Sequence, residues 1–170
     1  MDFSDVLNAR YSCKKYDGRP VPEEILQKIL EAGRLAPTAK NLQQQHILVL
    51  QSPGALAQFD SACPCRYGAG TVLVMAYSKS GIYVYQGGKY NSGAEDIGII
   101  TTYMMLAATN LGINSCWLNR FDPDNMAKAL GLPDDLVVVC CLDLGYAAPE
   151  GKPLPNHFSR KPLTETVEYR

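Results

Sequence analysis

"SGAEDIGIITTYMMLAATNLG", residues 92–112, decides the architecture of this chain. Ser92 with Glu95 three residues on fits a capping box, and Gly112 supplies the left-handed stop favoured after a helix, so the pattern predicts a helix of about 18 residues. Between those ends the side chains are apolar or small nearly all the way round. A surface helix carries a polar stripe; one without it is buried on most sides. In a chain of 170 residues this places the helix at the centre of the fold and also against a partner subunit, which predicts a homodimer.

Strand signals lie on both sides of it. "HILVLQ" (46–51) and "TVLVMAY" (71–77) are short β-forming runs and read as core strands; between them "SPGALAQFDSA" (52–62) reads as a helix capped by Ser52 with Pro53 at its first position. Further back, "VPEEILQKILEAGRLA" (21–36) starts a helix at Pro22, with Glu23 and Glu24 favouring its dipole and Ile25, Leu26, Ile29 and Leu30 on one side. "DFSDVLNA" (2–9) sets Phe3, Val6 and Leu7 on one face of a short helix. After the central helix come a brief strand, "SCWL" (115–118), a capped helix, "DPDNMAKALG" (122–131), and the longest buried strand signal, "LVVVCCLDLGY" (136–146). The glycine- and tyrosine-rich residues 78–93 lack a period and predict a loop or lid. Residues 147–170, with four prolines, are expected to run extended along a surface and onto the partner chain. No repeat or linker divides the chain, so 1–170 reads as one domain, and the irregular order of strands and helices predicts an α+β fold rather than a doubly wound sheet.

Bulk properties narrow the function. A hydrophobic fraction of 46% supports a real core, and a net charge of −1 gives no field for nucleic acid or an anionic membrane, so any anion site is local. No apolar run reaches the roughly 20 residues that span a bilayer, and no secretory leader is present, which predicts a cytoplasmic protein. The six cysteines show no zinc spacing, no metal site is expected, and the Cys63–Cys65 pair reads as structural. Dinucleotide, P-loop, zincin and serine-hydrolase motifs are absent. His46 reads as a packed, hydrogen-bonded residue of a core strand.

Three polar clusters remain. Arg10, Ser12 and Lys14 alternate in "RYSCKKY", so an extended backbone points them one way, an arrangement suited to a phosphate. "NHFSRK" (156–161) is a second cationic cluster, and the uncharged loop from Thr38 to Gln45 is a third. Together they could enclose a ligand with both a phosphate and a heterocycle.

These pieces, in this order, resemble the FMN-dependent nitroreductases in their short form. The resemblance rests on "ARYSCKKYDGRPVPEEILQKILEAGRLAPTAKNLQQQHILVL" (9–50), similar to the family's R-x-S-x-[RK]-x-[FY], helix, then A-P-[ST]-[SA]-x-N-x-Q pattern. It continues through "DIGIITTYMMLAATNLGINSCWL" (96–118) and the segment from "LGLPDD" to "SRKPLTETV". The resemblance implies a mostly antiparallel sheet flanked by helices, a long buried central helix, and a C-terminal tail exchanged with the partner subunit. It also implies FMN sites at the interface of a homodimer. Arg10, Tyr11 and Ser12 are then expected at the FMN phosphate and ribityl chain, and Lys14 at the N1 and O2 edge of the ring. Pro37, Thr38, Ala39, Asn41 and Gln43 are expected to reach FMN from the other subunit, and Arg160 with Lys161 to grip the phosphate. A backbone N–H of the segment holding Leu118 and Asn119 is expected near N5.

The implied activity is hydride transfer from NADH or NADPH to the flavin and on to a small nitroaromatic, quinone or similar acceptor in a ping-pong cycle, with no catalytic acid or base required. Trp117 itself reads as a core anchor. Gln44 and Gln45 stand where the family pattern usually continues with a proline and an aromatic residue, and Phe158 where relatives often have a lysine. Those departures keep two other readings open: a flavin-binding or sensing protein without turnover, and a different flavin reaction such as ene reduction, dehalogenation or flavin fragmentation.

Overall fold

The computed structural model describes residues 1–170. Five helices and four strands follow in the order α1 (Phe3–Ala9), α2 (Glu23–Arg34), β1 (Gln45–Leu50), α3 (Pro53–Ala62), β2 (Thr71–Ser78), α4 (Gly93–Asn110), β3 (Asn114–Leu118), α5 (Pro123–Ala129) and β4 (Leu136–Gly145). All strand pairs are antiparallel and the sheet order is β1-β2-β4-β3. The α+β expectation holds.

Alternation along the two central strands builds a core on each sheet face. Leu73 and Met75 of β2 with Cys140, Leu142 and Leu144 of β4 pack against Leu26 and Ile29 of α2 and Ile97, Ile100 and Met104 of α4. Val72, Val74 and Ala76 with Val138 and Cys141 meet Phe59 of α3 and Met126 of α5. Neighbouring residues of a strand face opposite sides, so β2 and β4 read as unbroken apolar runs because both sides are covered. Helix α4 runs 18 residues, as expected. It crosses α2 closely at Gly33, where an added Cβ would lie 2.8 Å from Met104 Sδ. A methyl group there would have to push the Met104 side chain aside.

Several local expectations are corrected. Pro22 is the cap of α2 rather than its first residue. The capping box at Ser92 does not form: Ser92 is already helical in conformation, its Oγ donates to Asp96 Oδ2 at 2.8 Å, and Glu95 instead accepts from Tyr85 Oη. A side chain on a helical backbone points away from the N–H it was expected to cap. Strand β1 is an edge strand with only Leu50 buried, and His46 is exposed rather than packed. Phe3 and Leu7 are also exposed, leaving Val6 as the buried residue of α1. The tyrosine-rich stretch forms a small hairpin through a Val84–Asn91 bridge, with Tyr83 and Tyr85 in edge contact.

Candidate active site

The segment after α1 lies along the open edge of β3. Ser12 bridges Ser115 in parallel, and the Cys13 N–H donates to the Ser115 carbonyl at 2.9 Å. This extended conformation sends Cys13 into the interior and leaves Arg10, Ser12 and Lys14 together on the other side. The period-2 expectation for these three residues therefore holds.

They form one wall of a cleft of about 390 Å³. Cys116 and Trp117 of β3 form its floor, and Asn156, His157 and Arg160 of the tail close it. The tail is fixed over the N-terminal segment by Tyr11 Oη, which donates to the Gly151 carbonyl at 2.6 Å, and by an edge contact between the Tyr11 and His157 rings. Two of the three polar clusters thus meet, although some 140 residues of chain separate Tyr11 from Gly151.

No carboxylate lines the cleft. Arg10, Lys14 and Arg160 make no salt bridge, whereas the neighbouring Lys15 pairs with Glu150 at 3.4 Å. Arg160 donates only to the carbonyls of His157 and Ser159, the latter at 2.7 Å. The Lys14 ammonium lies over the Tyr67 ring, 5.8 Å from its centroid. Desolvation, then the charges of Arg10 and Arg160, hold the His157 imidazole below its ordinary pKa. Three cations without a salt-bridge partner around one concavity give it a positive field suited to an anion.

The third cluster is elsewhere. Pro37, Thr38, Ala39, Asn41 and Gln43 do not line the cleft; their loop is tied to the first turn of α4 by the Ala39 N–H, which donates to Asp96 Oδ1 at 2.8 Å. Gln43 is held within the loop, its N–H donating to Thr38 Oγ1 at 3.1 Å. Lys40, Asn41 and Gln43 all have φ between 52° and 55°, a left-handed conformation uncommon for side chains other than glycine and asparagine. The Lys40 ammonium reaches the Tyr83 ring, 4.7 Å from its centroid, linking this loop to the hairpin.

Lys161 faces outward and pairs with Glu165 at 3.9 Å. Leu118 is buried and Asn119 exposed, and neither lines the cleft. Trp117 packs partly against the core, as expected of an anchor, but it also faces the cleft.

Asn156 and His157 of the "NHFSRK" cluster line the cleft beside Arg160, although the family resemblance singled out only Arg160 and Lys161 there. One feature escaped the sequence reading. Asp143 is fully buried on β4 with neither carboxylate oxygen hydrogen-bonded, and burial pushes its pKa up to about 9, with Arg66 opposing. Its signal was a lone charge inside an apolar strand.

The Nitroreductase family model matches residues 7–67 and 60–146. A nitroreductase family protein from Clostridium difficile 630 superposes with a TM-score of 0.92 at 32% identity, over 99% of this chain and 98% of that one. An NADH dehydrogenase from Thermus thermophilus is 28% identical, covering 100% of this chain and 97% of its own length. A nitroreductase with bound FMN from Bacteroides fragilis superposes with a TM-score of 0.73 at 25% identity, over 100% of this chain and 99% of that one. By its sequence and by the fold that carries the cleft, this chain belongs to the nitroreductase family.

Proposed function

We propose that the protein is an FMN-dependent oxidoreductase that takes reducing equivalents from NADH or NADPH and passes them to an electron-poor small molecule, a nitroaromatic or a quinone. The observation that carries this reading is the cleft with three cations and no carboxylate. Such a donor set fits the phosphate of FMN, and the Trp117 edge beside it fits an apolar ring. Bound FMN supplies the two-electron chemistry that no side chain of the cleft can provide.

The residues around it bind, orient and tune. Arg10 and Arg160, with the Ser12 hydroxyl, hold the phosphate and ribityl chain through charge-assisted hydrogen bonds. The Lys14 ammonium would stabilise negative charge on a reduced flavin bound there. The backbone amides beyond Trp117, at Leu118 and Asn119, would donate to the flavin ring from beside the cleft. Tyr11 acts indirectly by fixing the tail through Gly151.

Pro37 to Gln43 complete the site of the second subunit in a homodimer. This arrangement is supported by the loop's absence from the lining of its own chain's cleft and by the exposed apolar side chains of Phe3, Leu7 and Tyr103 on α1 and α4. A reducing, cytoplasmic setting fits six free thiols, and no helix is long and apolar enough to cross a membrane.

The test is the visible spectrum. Purified protein, or protein given FMN, is expected to be yellow and to bleach anaerobically with NADH or NADPH, regaining colour when a quinone is added. Failure to take up FMN overturns the reading; FMN uptake without bleaching by either donor favours the sensing alternative.

A further inference from the structure

We propose that Cys63 and Cys65 are a paired-thiol site that low-molecular-weight disulfides convert to an intramolecular disulfide, and that the change is felt at Lys14. Their Sγ atoms lie 3.4 Å apart, in direct contact. No other two of the six free thiols make such a contact; Cys140 and Cys141, adjacent on β4, point to opposite faces of the sheet. A disulfide bond is roughly 2.0 Å long, so closing the pair draws the sulfurs together by roughly 1.4 Å.

Both thiols are almost wholly covered, Cys63 at 1% and Cys65 at 4% exposure, so exchange proceeds only as the loop around them opens. Cys63 borders a surface pocket of about 260 Å³ together with Asp60, Pro64, Arg66 and Tyr67, while Cys65 is not part of its wall. Cys63 is therefore the thiol reached first on opening. The backbone just beyond, Tyr67 at φ 55° and Gly68 at φ 82°, is left-handed. The Tyr67 carbonyl accepts from the Tyr16 N–H at 3.1 Å, and its ring lies beneath Lys14. Tightening residues 63–65 pulls on Tyr67 and so on the segment that carries the cleft's cations.

The chemistry balances. The Cys63 thiolate attacks one sulfur of the small disulfide, whose S–S bond breaks and releases one thiolate. Cys65, after losing its proton to solvent, attacks Cys63 Sγ and expels the second thiolate. Two protein thiols are oxidised by two electrons, and one small disulfide is reduced to two thiols. Burial pushes the Cys63 thiol up to about 12, so exchange is slow at neutral pH.

Trypsin cuts after Lys40 and Arg66, which places both cysteines, and no others, in the peptide 41–66. The FMN-loaded protein is incubated with hydroxyethyl disulfide, quenched in acid, alkylated in denaturant and digested. The peptide is expected lighter by two hydrogens and unalkylated; in Cys65→Ala it carries the hydroxyethylthio group on Cys63. A peptide alkylated at both cysteines after oxidation overturns the site, whether or not the variant folds. The effect on Lys14 rests on the flavin reading above and is measured separately, as an FMN dissociation constant about two- to fivefold weaker in the oxidised protein, the scale of one exposed cation–π contact. Equal affinity in the two forms overturns that half. A protein that takes up no FMN in either form fails the flavin reading, while the peptide map stands on its own.

Discussion

The Ala39 N–H donates to Asp96 Oδ1 at 2.8 Å while the other oxygen of the same carboxylate accepts from Ser92 Oγ at 2.8 Å. One side chain at the start of α4 thus holds a loop with three left-handed residues that is distant in sequence. Asp96→Ala is expected to cost about 1–3 kcal/mol of stability through the unpaired groups it leaves. It should also speed tryptic cleavage at the exposed Lys40, measured in native protein; unchanged cleavage would mean that the loop holds itself.

Arg10→Ala is expected to weaken FMN binding by about 1.5–3 kcal/mol, the range for a charge-assisted hydrogen bond. Fluorescence titration measures it, and the same titration of Lys161→Ala should show little change, since Lys161 faces away from the cleft towards Glu165.

Lys14→Met is expected to leave FMN bound but lower its two-electron midpoint potential by about 30–60 mV, equivalent to about 1.4–2.8 kcal/mol. Spectroelectrochemistry on the loaded protein reads this directly. A potential equal to wild type would remove Lys14 from the ring edge.

Asp143 gives stability a pH dependence. Its pKa is near 3.9 in the unfolded chain and is raised to about 9 in the fold, so the native state holds the extra proton between those values. The stability this confers is complete below about pH 4 and is lost as pH rises towards 9, by up to about 1.4 kcal/mol per unit. Asp143→Asn keeps the neutral shape, and its urea midpoint should fall less steeply with pH than that of wild type. Parallel curves would show that Asp143 is ionised in the native protein.

How much of this could be read in the sequence depended on range. Local end signals at Ser92 and Gly112 located α4 to its full 18 residues, and the period-2 repeat of an extended backbone aligned Arg10, Ser12 and Lys14. Burial was read less well. A strand in the middle of a sheet and one at its edge share the same composition, so His46 looked packed and is exposed. Contacts across the chain left no local trace: nothing near Tyr11 announces the Gly151 carbonyl it binds. The family pattern named Arg160 but not His157 beside it, since a motif records shared positions and not the neighbours that complete a wall.

The tail carries a further consequence. From Lys152 to the C-terminus only His157 is more than superficially covered, yet this segment supplies a whole side of the cleft. Beyond the Tyr11 contacts that fix the tail, three like charges gathered on that wall repel one another, and on the flavin reading a bound phosphate would relieve them. A ligand that binds the folded tail would stabilise it by about 1.4 kcal/mol for each tenfold excess over its dissociation constant. Resistance of the C-terminus to proteolysis is then expected to rise as the protein is loaded.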